Sequence, residues 1–235
     1  MYSNIIQHVL RWRMSRKRLT REDSRDQTRQ RLLDAAQKLI AKKGLSAASV
    51  EDIAAAAGYT RGAFYSNFSS KGDLFIELLR RDHEESHAEL AALRSDALPL
   101  DLIQQRTREI YGRLYRNNES FMNWTEARLL AARDTKFRAK LNALLAEKRG
   151  QIAEFIEYFY QRAGAASPVP EGAMAMGFMA LVEGVKLSML SSPTDMTPDM
   201  AESVLALFVD AIMQLARLQG TQQGVEHATA QAAND

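Results

Sequence analysis

Two groups of residues in this chain have the types and spacing to do chemistry. His83-Glu84-Glu85-Ser86-His87 matches H-E-x-x-H, in which two imidazoles one helical turn apart bind zinc and the glutamate acts as a base. Such a hydrolase also needs a third protein ligand and a substrate cleft beside a strand, and the sequence supplies neither. The flanking charges, Arg80, Arg81, Asp82, Glu84 and Glu85, make the segment read as a solvated helix face. The second group is Ser49, Thr60, Arg61, Gly62, Tyr65 and Lys71. Here Arg61 can fork to guanine O6 and N7, Tyr65 offers a hydroxyl at phosphate height, and Lys71 adds charge beside a helix start. Ser49 and Thr60 serve equally well as plain helix caps.

Short helices must position that second group. Val50, Ile53 and Ala54 give one apolar face to a helix over 50–57, opened by Ser49 three residues before Asp52 and closed by Gly58. Thr60 opens another through Tyr65, which keeps Phe64 for the core and turns Thr60, Arg61, Gly62 and Tyr65 outward. Ala57-Gly58 allows a sharp turn between them. The result is a helix-turn-helix whose second helix suits a DNA major groove. Upstream, Leu32, Leu33, Ala36, Leu39 and Ile40 place a helix over 26–43, with Gly44 as its stop.

Charge agrees with that reading. The net charge of +2 hides an asymmetry: residues 1–75 carry 14 Lys+Arg against 7 Asp+Glu, and the remainder carries 17 against 22. The first part therefore stands at +7 and the second at −5. A basic segment of this kind is built to meet a polyanion. The Arg-rich lead (Arg11, Arg13, Arg16, Lys17, Arg18, Arg21) reads as an arm that adds phosphate or minor-groove contacts, or as a solubilising one. Met14 is as good an initiator as Met1.

The rest of the chain predicts more helices: 71–94, 99–116, 119–132, 135–163, 171–190 and 198–218. The fold class is all-α, with about nine helices. A basic arm (1–24) precedes a three-helix helix-turn-helix domain (25–75), followed by a larger helical ligand-binding and dimerisation domain (76–220) and a frayed tail (221–235). The chain has no cysteine, which removes disulfide scaffolds, thiolate zinc sites, iron–sulfur clusters and cysteine nucleophiles. No G-x-S-x-G, P-loop or dinucleotide fingerprint occurs, so no enzyme activity and no cofactor are expected. No apolar run approaches the roughly 18 residues that a membrane span needs, and MYSNIIQHVL does not read as a signal peptide. A cytoplasmic protein with no membrane partner is expected.

The stretch Ser49-Val50, Asp52-Ile53-Ala54, Ala57-Gly58, Phe64-Tyr65-Ser66-Asn67-Phe68, Lys71 and Leu74 resembles the DNA-binding domain of the TetR family of bacterial transcriptional regulators. Arg31-Leu32-Leu33-Asp34-Ala35-Ala36 and Gly44-Leu45 extend the resemblance over about 26–75. It implies that Thr60, Arg61 and Gly62 face base edges and adjacent phosphates, and that Tyr65, Lys71 and Ser49 bind the phosphate backbone. It also implies a regulator, most often a dimeric repressor, that leaves a palindromic operator when a small-molecule effector binds.

Two further expectations come from the C-terminal part. Flexible methionines beside large aromatics can line an adaptable pocket, with Tyr111, Tyr115, Phe121, Trp124, Arg128 and Met176 as candidate ligand-binding residues. Phe121, Trp124 and Arg128 share one helix face, which would suit an apolar ligand with a polar or anionic end. Val204, Leu207, Ala211 and Leu215 form an apolar seam on the last helix, and Met179 and Val182 add to it from the helix before. A homodimer interface would cover that surplus.

Overall fold

The computed structural model describes residues 20–95, 98–114 and 118–232. Among these it shows nine helices: α1 (Arg21–Ala47), α2 (Val50–Ala56), α3 (Arg61–Asn67), α4 (Lys71–Ser95), α5 (Leu100–Leu114), α6 (Asn118–Arg133), α7 (Thr135–Arg162), α8 (Glu171–Ser191) and α9 (Pro198–Ala232). The expected fold class is the one observed. Tyr115, most of the basic arm and both candidate start methionines lie outside the described residues.

The ends of the helices follow from local chemistry. α1 starts at Arg21, earlier than its apolar stripe predicts, because Thr20 and Asp23 form a reciprocal capping box. Its regular part ends at Gly44, and a further turn runs to Ala47. α9 does not stop near Leu218 but continues to Ala232, through a stretch rich in the good helix formers Ala and Gln. Gly220 sits where α9 crosses the end of α7. A β-carbon there would lie 1.8 Å from the carbonyl oxygen of Ala163, so only glycine fits without displacing backbone.

Two buried clusters hold the molecule together. The lower one joins Leu32, Leu33, Ile53, Phe64 and Leu74 to Ala127 and Ala131 of α6 and to Phe137, Leu141 and Leu144 of α7. The upper one joins α4, α5, α7, α8 and α9 around Ile103, Phe155, Phe159 and Phe178. Leu145 packs against both. The helix-turn-helix is therefore seated on α6 and α7 and shares its core with them.

Helix α8 corrects the expectation that no segment is apolar enough to span a membrane. By length and mean hydropathy of 1.5 its residues are, even with Glu183 and Lys186 among them. In the fold it packs between α7 and α9. Ala175, Phe178, Met179 and Val185 point inward, whereas Met176, Gly177, Ala180, Gly184 and Leu187 face out.

Candidate nucleic-acid interface and inner chamber

The proposed reading surface is assembled by caps. Ser49 Oγ accepts the Asp52 amide at 3.0 Å, and Asp52 Oδ2 accepts the Ser49 amide at 3.2 Å. Lys43, first, and then Ser49 hold the Asp52 carboxyl down at about 2, so this box stays charged at any working pH. Gly58 has φ +79°, the left-handed conformation that lets Tyr59 N–H reach back to the Ala54 carbonyl and end α2. Thr60 Oγ1 then accepts the Ala63 amide at 3.3 Å and opens α3. Phe64 is fully buried, as its place in the pattern predicts.

The opposite face of α3 is open. Thr60, Arg61, Gly62 and Tyr65 are all exposed, and Gly62 leaves room for close approach. Arg61 pairs with Glu51 at 2.8 Å and lies 5.5 Å from the Tyr65 ring centroid, which holds the guanidinium over the outer face. A surface ion pair of this kind is worth at most about 1 kcal/mol and yields readily to a phosphate or a base. Lys71 is placed differently. Its ammonium donates to the carbonyls of Leu45 (2.6 Å) and Ala48 (2.9 Å), which leaves one donor to offer outward. Burial, and then Lys43, pull its pKa down.

Arg29 is a residue that sequence reasoning missed. It pairs with Glu77 at 3.0 Å, donates to the Asn67 carbonyl at 2.9 Å and stacks 4.4 Å from the Phe68 ring centroid. One side chain thereby ties α1 to the end of α3 and the start of α4. Nothing in its local spacing announces it, because its partners lie 38 and 48 residues away.

Above this head lies a chamber of about 100 Å³ between α4, α5, α6, α7 and α8. Of the residues expected to line it, Tyr111, Phe121 and Trp124 do. Tyr111 packs edge-on against Phe178, ring centroids 4.5 Å apart, and burial raises its hydroxyl pKa. Trp124 Nε1–H donates to Asp82 at 2.6 Å, and Ser120 donates to the same carboxylate oxygen at 2.8 Å. Two expectations are corrected. Met176 is 48% exposed on the far side of α8. Arg128 does not line the chamber but pairs with Glu183, which does.

The polar lining comes instead from residues that the sequence did not assign to a pocket. His83 is only 5% exposed and borders the chamber with His87, so this segment of α4 is not wholly a solvated face. Desolvation, and then the Lys148 charge, lower the His83 pKa to about 4, so the imidazole is neutral. The two rings stand 6.2 Å apart, while Glu84 points to solvent. Among the described residues no three His, Asp or Glu side chains gather to hold a metal. Lys186 is 7% exposed and lies 5.2 Å from the Phe121 ring centroid; Lys148 lies 4.5 Å from that of Trp124. Glu183 and Lys186 are the legible signals: charges within an otherwise apolar helix mark either an outer edge or a lined cavity.

Such an arrangement, a capped helix-turn-helix with a bare outer face below a lined chamber, defines an all-α protein of the DNA-binding class. Residues 32–78 match the family described as "Bacterial regulatory proteins, tetR family". Over those residues, which hold the helix-turn-helix, the chain is similar to that family. The transcriptional regulator AcrR of Shigella flexneri is 46% identical over 61 residues, which are 26% of this chain and 28% of AcrR. TtgR of Pseudomonas putida is 39% identical over 74 residues, 32% of this chain and 34% of TtgR. The chain thus matches only about a third of these relatives' lengths. The fold likeness extends further. A putative TetR-family regulator from Rhodococcus sp. superposes with a TM-score of 0.68 at 22% identity, over 80% of this chain and 99% of that one. The SmeT–triclosan complex superposes at 0.64 with 20% identity, over 78% and 90%.

Proposed function

We propose that this protein is a dimeric transcriptional repressor that reads a palindromic operator through α3 and releases it when a small molecule fills the chamber. The observation that carries the reading is the course of α4. At its first residue Lys71 holds the turn before α2, and further along Asp82, His83 and His87 line the chamber. One continuous rod thus touches both the reading head and the ligand space. Arg81 fastens that rod to Asp34 (2.7 Å) and Gln37 (2.9 Å) of α1, so a tilt of α4 carries the head with it. Two half-sites about 34–36 Å apart tolerate little change in head spacing.

The dimer is supported by an uncovered apolar seam on α9. Leu207 is 70% exposed, and Ala211, Leu215 and Leu218 continue the stripe at steps of three and four. Gly177, Ala180, Gly184 and Leu187 of α8 add an outer face of small and apolar residues. A two-fold pairing of α8 and α9 would bury both. Three expected members fall elsewhere: Met179 is buried in its own subunit, Val182 lines the chamber, and Val204 is half-buried. A helix apolar all round does not reveal from sequence which side faces in. A cytoplasmic location goes with this function.

Selection of bound genomic fragments by the purified protein tests the reading. A repressor enriches a palindromic sequence and prefers it over random DNA by about 10³-fold or more at fixed salt. Binding without sequence preference would make the protein an architectural DNA binder instead.

A further inference from the structure

The charges in and just behind the chamber lining leave it positive on balance. Both carboxylates that border it already have partners: Asp82 accepts from Trp124 and Ser120, and Glu183 pairs with Arg128. Of the three aromatic rings that border it, two already carry the protein's own ammoniums, Lys148 over Trp124 and Lys186 over Phe121, and Tyr111 packs edge-on against Phe178. In the lining Lys148 and Lys186 stand against Asp82 and Glu183, with His83 neutral, and Arg128 just outside it pairs with Glu183, so the balance around the chamber is positive. A cationic guest would therefore meet repulsion without a counterion. An anionic one restores balance.

Two buried polar atoms point the same way, toward a guest with hydrogen-bonding groups. His83 Nε2 and Gln151 Oε1 both border the chamber, and neither has a hydrogen-bond partner in the protein. Buried polar atoms in that condition cost free energy until something fills the site. The remaining wall is apolar: Leu90, Ile110 and Ile152. At about 100 Å³ the space is somewhat smaller than the cavities known to admit benzene, which suits a single ring with slight opening better than a fused or long-chain ligand.

We propose that the effector is a compact monocyclic aromatic carboxylic acid, its acid group held by Lys148 and Lys186 and its ring against Leu90, Ile110 and Ile152. A ring hydroxyl would donate to Gln151 Oε1. This rests on the ligand-responsive reading above and specifies its ligand. Burial pushes Lys186 down to about 8, and a carboxylate beside it lowers that cost of charge.

Isothermal titration of the full chain with four probes tests the proposal: 4-hydroxybenzoate, its methyl ester, benzylamine and acetate. The acid is expected to bind best, the ester about 10- to 100-fold more weakly, and the amine and acetate not measurably. Lys186→Met and Lys148→Met should each weaken the acid about tenfold or more and leave the ester unchanged, with helicity checked by circular dichroism. An ester or amine that equals or exceeds the acid overturns the proposal, and so does failure of all four to bind. The wild-type ranking decides the matter even if a variant does not fold. Selective DNA binding measured without ligand separates the two levels. If selectivity holds and the ranking fails, the ligand class is wrong; if selectivity fails, the regulator reading falls.

Discussion

The reading head and the chamber are built in opposite ways. Around α2 and α3 the hydrogen bonds that start and end the helices are local: Ser49 with Asp52, Thr60 with Ala63, Tyr59 with Ala54. Around the chamber they join distant parts of the chain, as Trp124 to Asp82 across 42 residues and Arg128 to Glu183 across 55. Local wiring fixes a rigid shape that must match an invariant duplex. The chamber keeps His83 Nε2 and Gln151 Oε1 buried without a hydrogen-bond partner, two groups that a guest could satisfy.

The largest expected effect comes from breaking what doubles the head. Leu207→Glu with Ala211→Glu should give a helical monomer by sedimentation, with operator affinity at least about a hundredfold lower through loss of bivalent engagement. An unchanged dimer would place the seam elsewhere. Next, the proposed contact of Arg61 to a base edge predicts that Arg61→Ala costs about 1–3 kcal/mol on the operator and much less on random DNA. Lys71→Ala should weaken both alike, since Lys71 props the turn before α2 and adds charge but reads no base. Equal losses for Arg61→Ala on both DNAs would reduce Arg61 to a phosphate contact.

On the chamber side, His83 gives a smaller effect. Its pKa is about 6.5 unfolded and about 4 folded, so the fold binds fewer protons there. Its contribution is complete above pH 6.5 and is lost as pH falls toward 4. The charges acting on it are Lys148, His87, Glu147 and Arg80. Bordering an open chamber, it should account for about 1–2 kcal/mol of acid destabilisation. His83→Leu should remove that portion from denaturant titrations at pH 4.5 and pH 7. Smallest of all, Glu126→Ala deletes the acceptor of the Leu45 amide at 2.9 Å and should cost about 1 kcal/mol, or 2–4 °C in melting temperature.

This contrast also explains what the sequence made legible. Val50, Ile53, Phe64 and the two caps lie within one or two turns of one another, so spacing alone places the head and its exposed Thr60, Arg61 and Tyr65. The capping box of Thr20 and Asp23 was equally readable but is masked by the basic lead before it. The chamber draws Asp82, Lys148 and Lys186 from three helices, and only packing reveals that they meet. Arg128 illustrates the limit: it shares a helix face with Phe121 and Trp124, yet the long-range attraction of Glu183 directs it away from the ligand space.

The shared lower core bears on modularity. Ala127, Ala131, Phe137, Leu141 and Leu144 close the same core as Leu32, Ile53 and Phe64, and Glu126 supplies the acceptor for the Leu45 amide. A fragment cut after α4 would expose that apolar floor and leave the Leu45 amide to water. Exchange of reading heads between relatives at the helix-turn-helix boundary should therefore give poorly folded chimeras. A graft that carries α6 and the first turns of α7 along with the head should fold, and the natural unit of exchange is discontinuous in the chain.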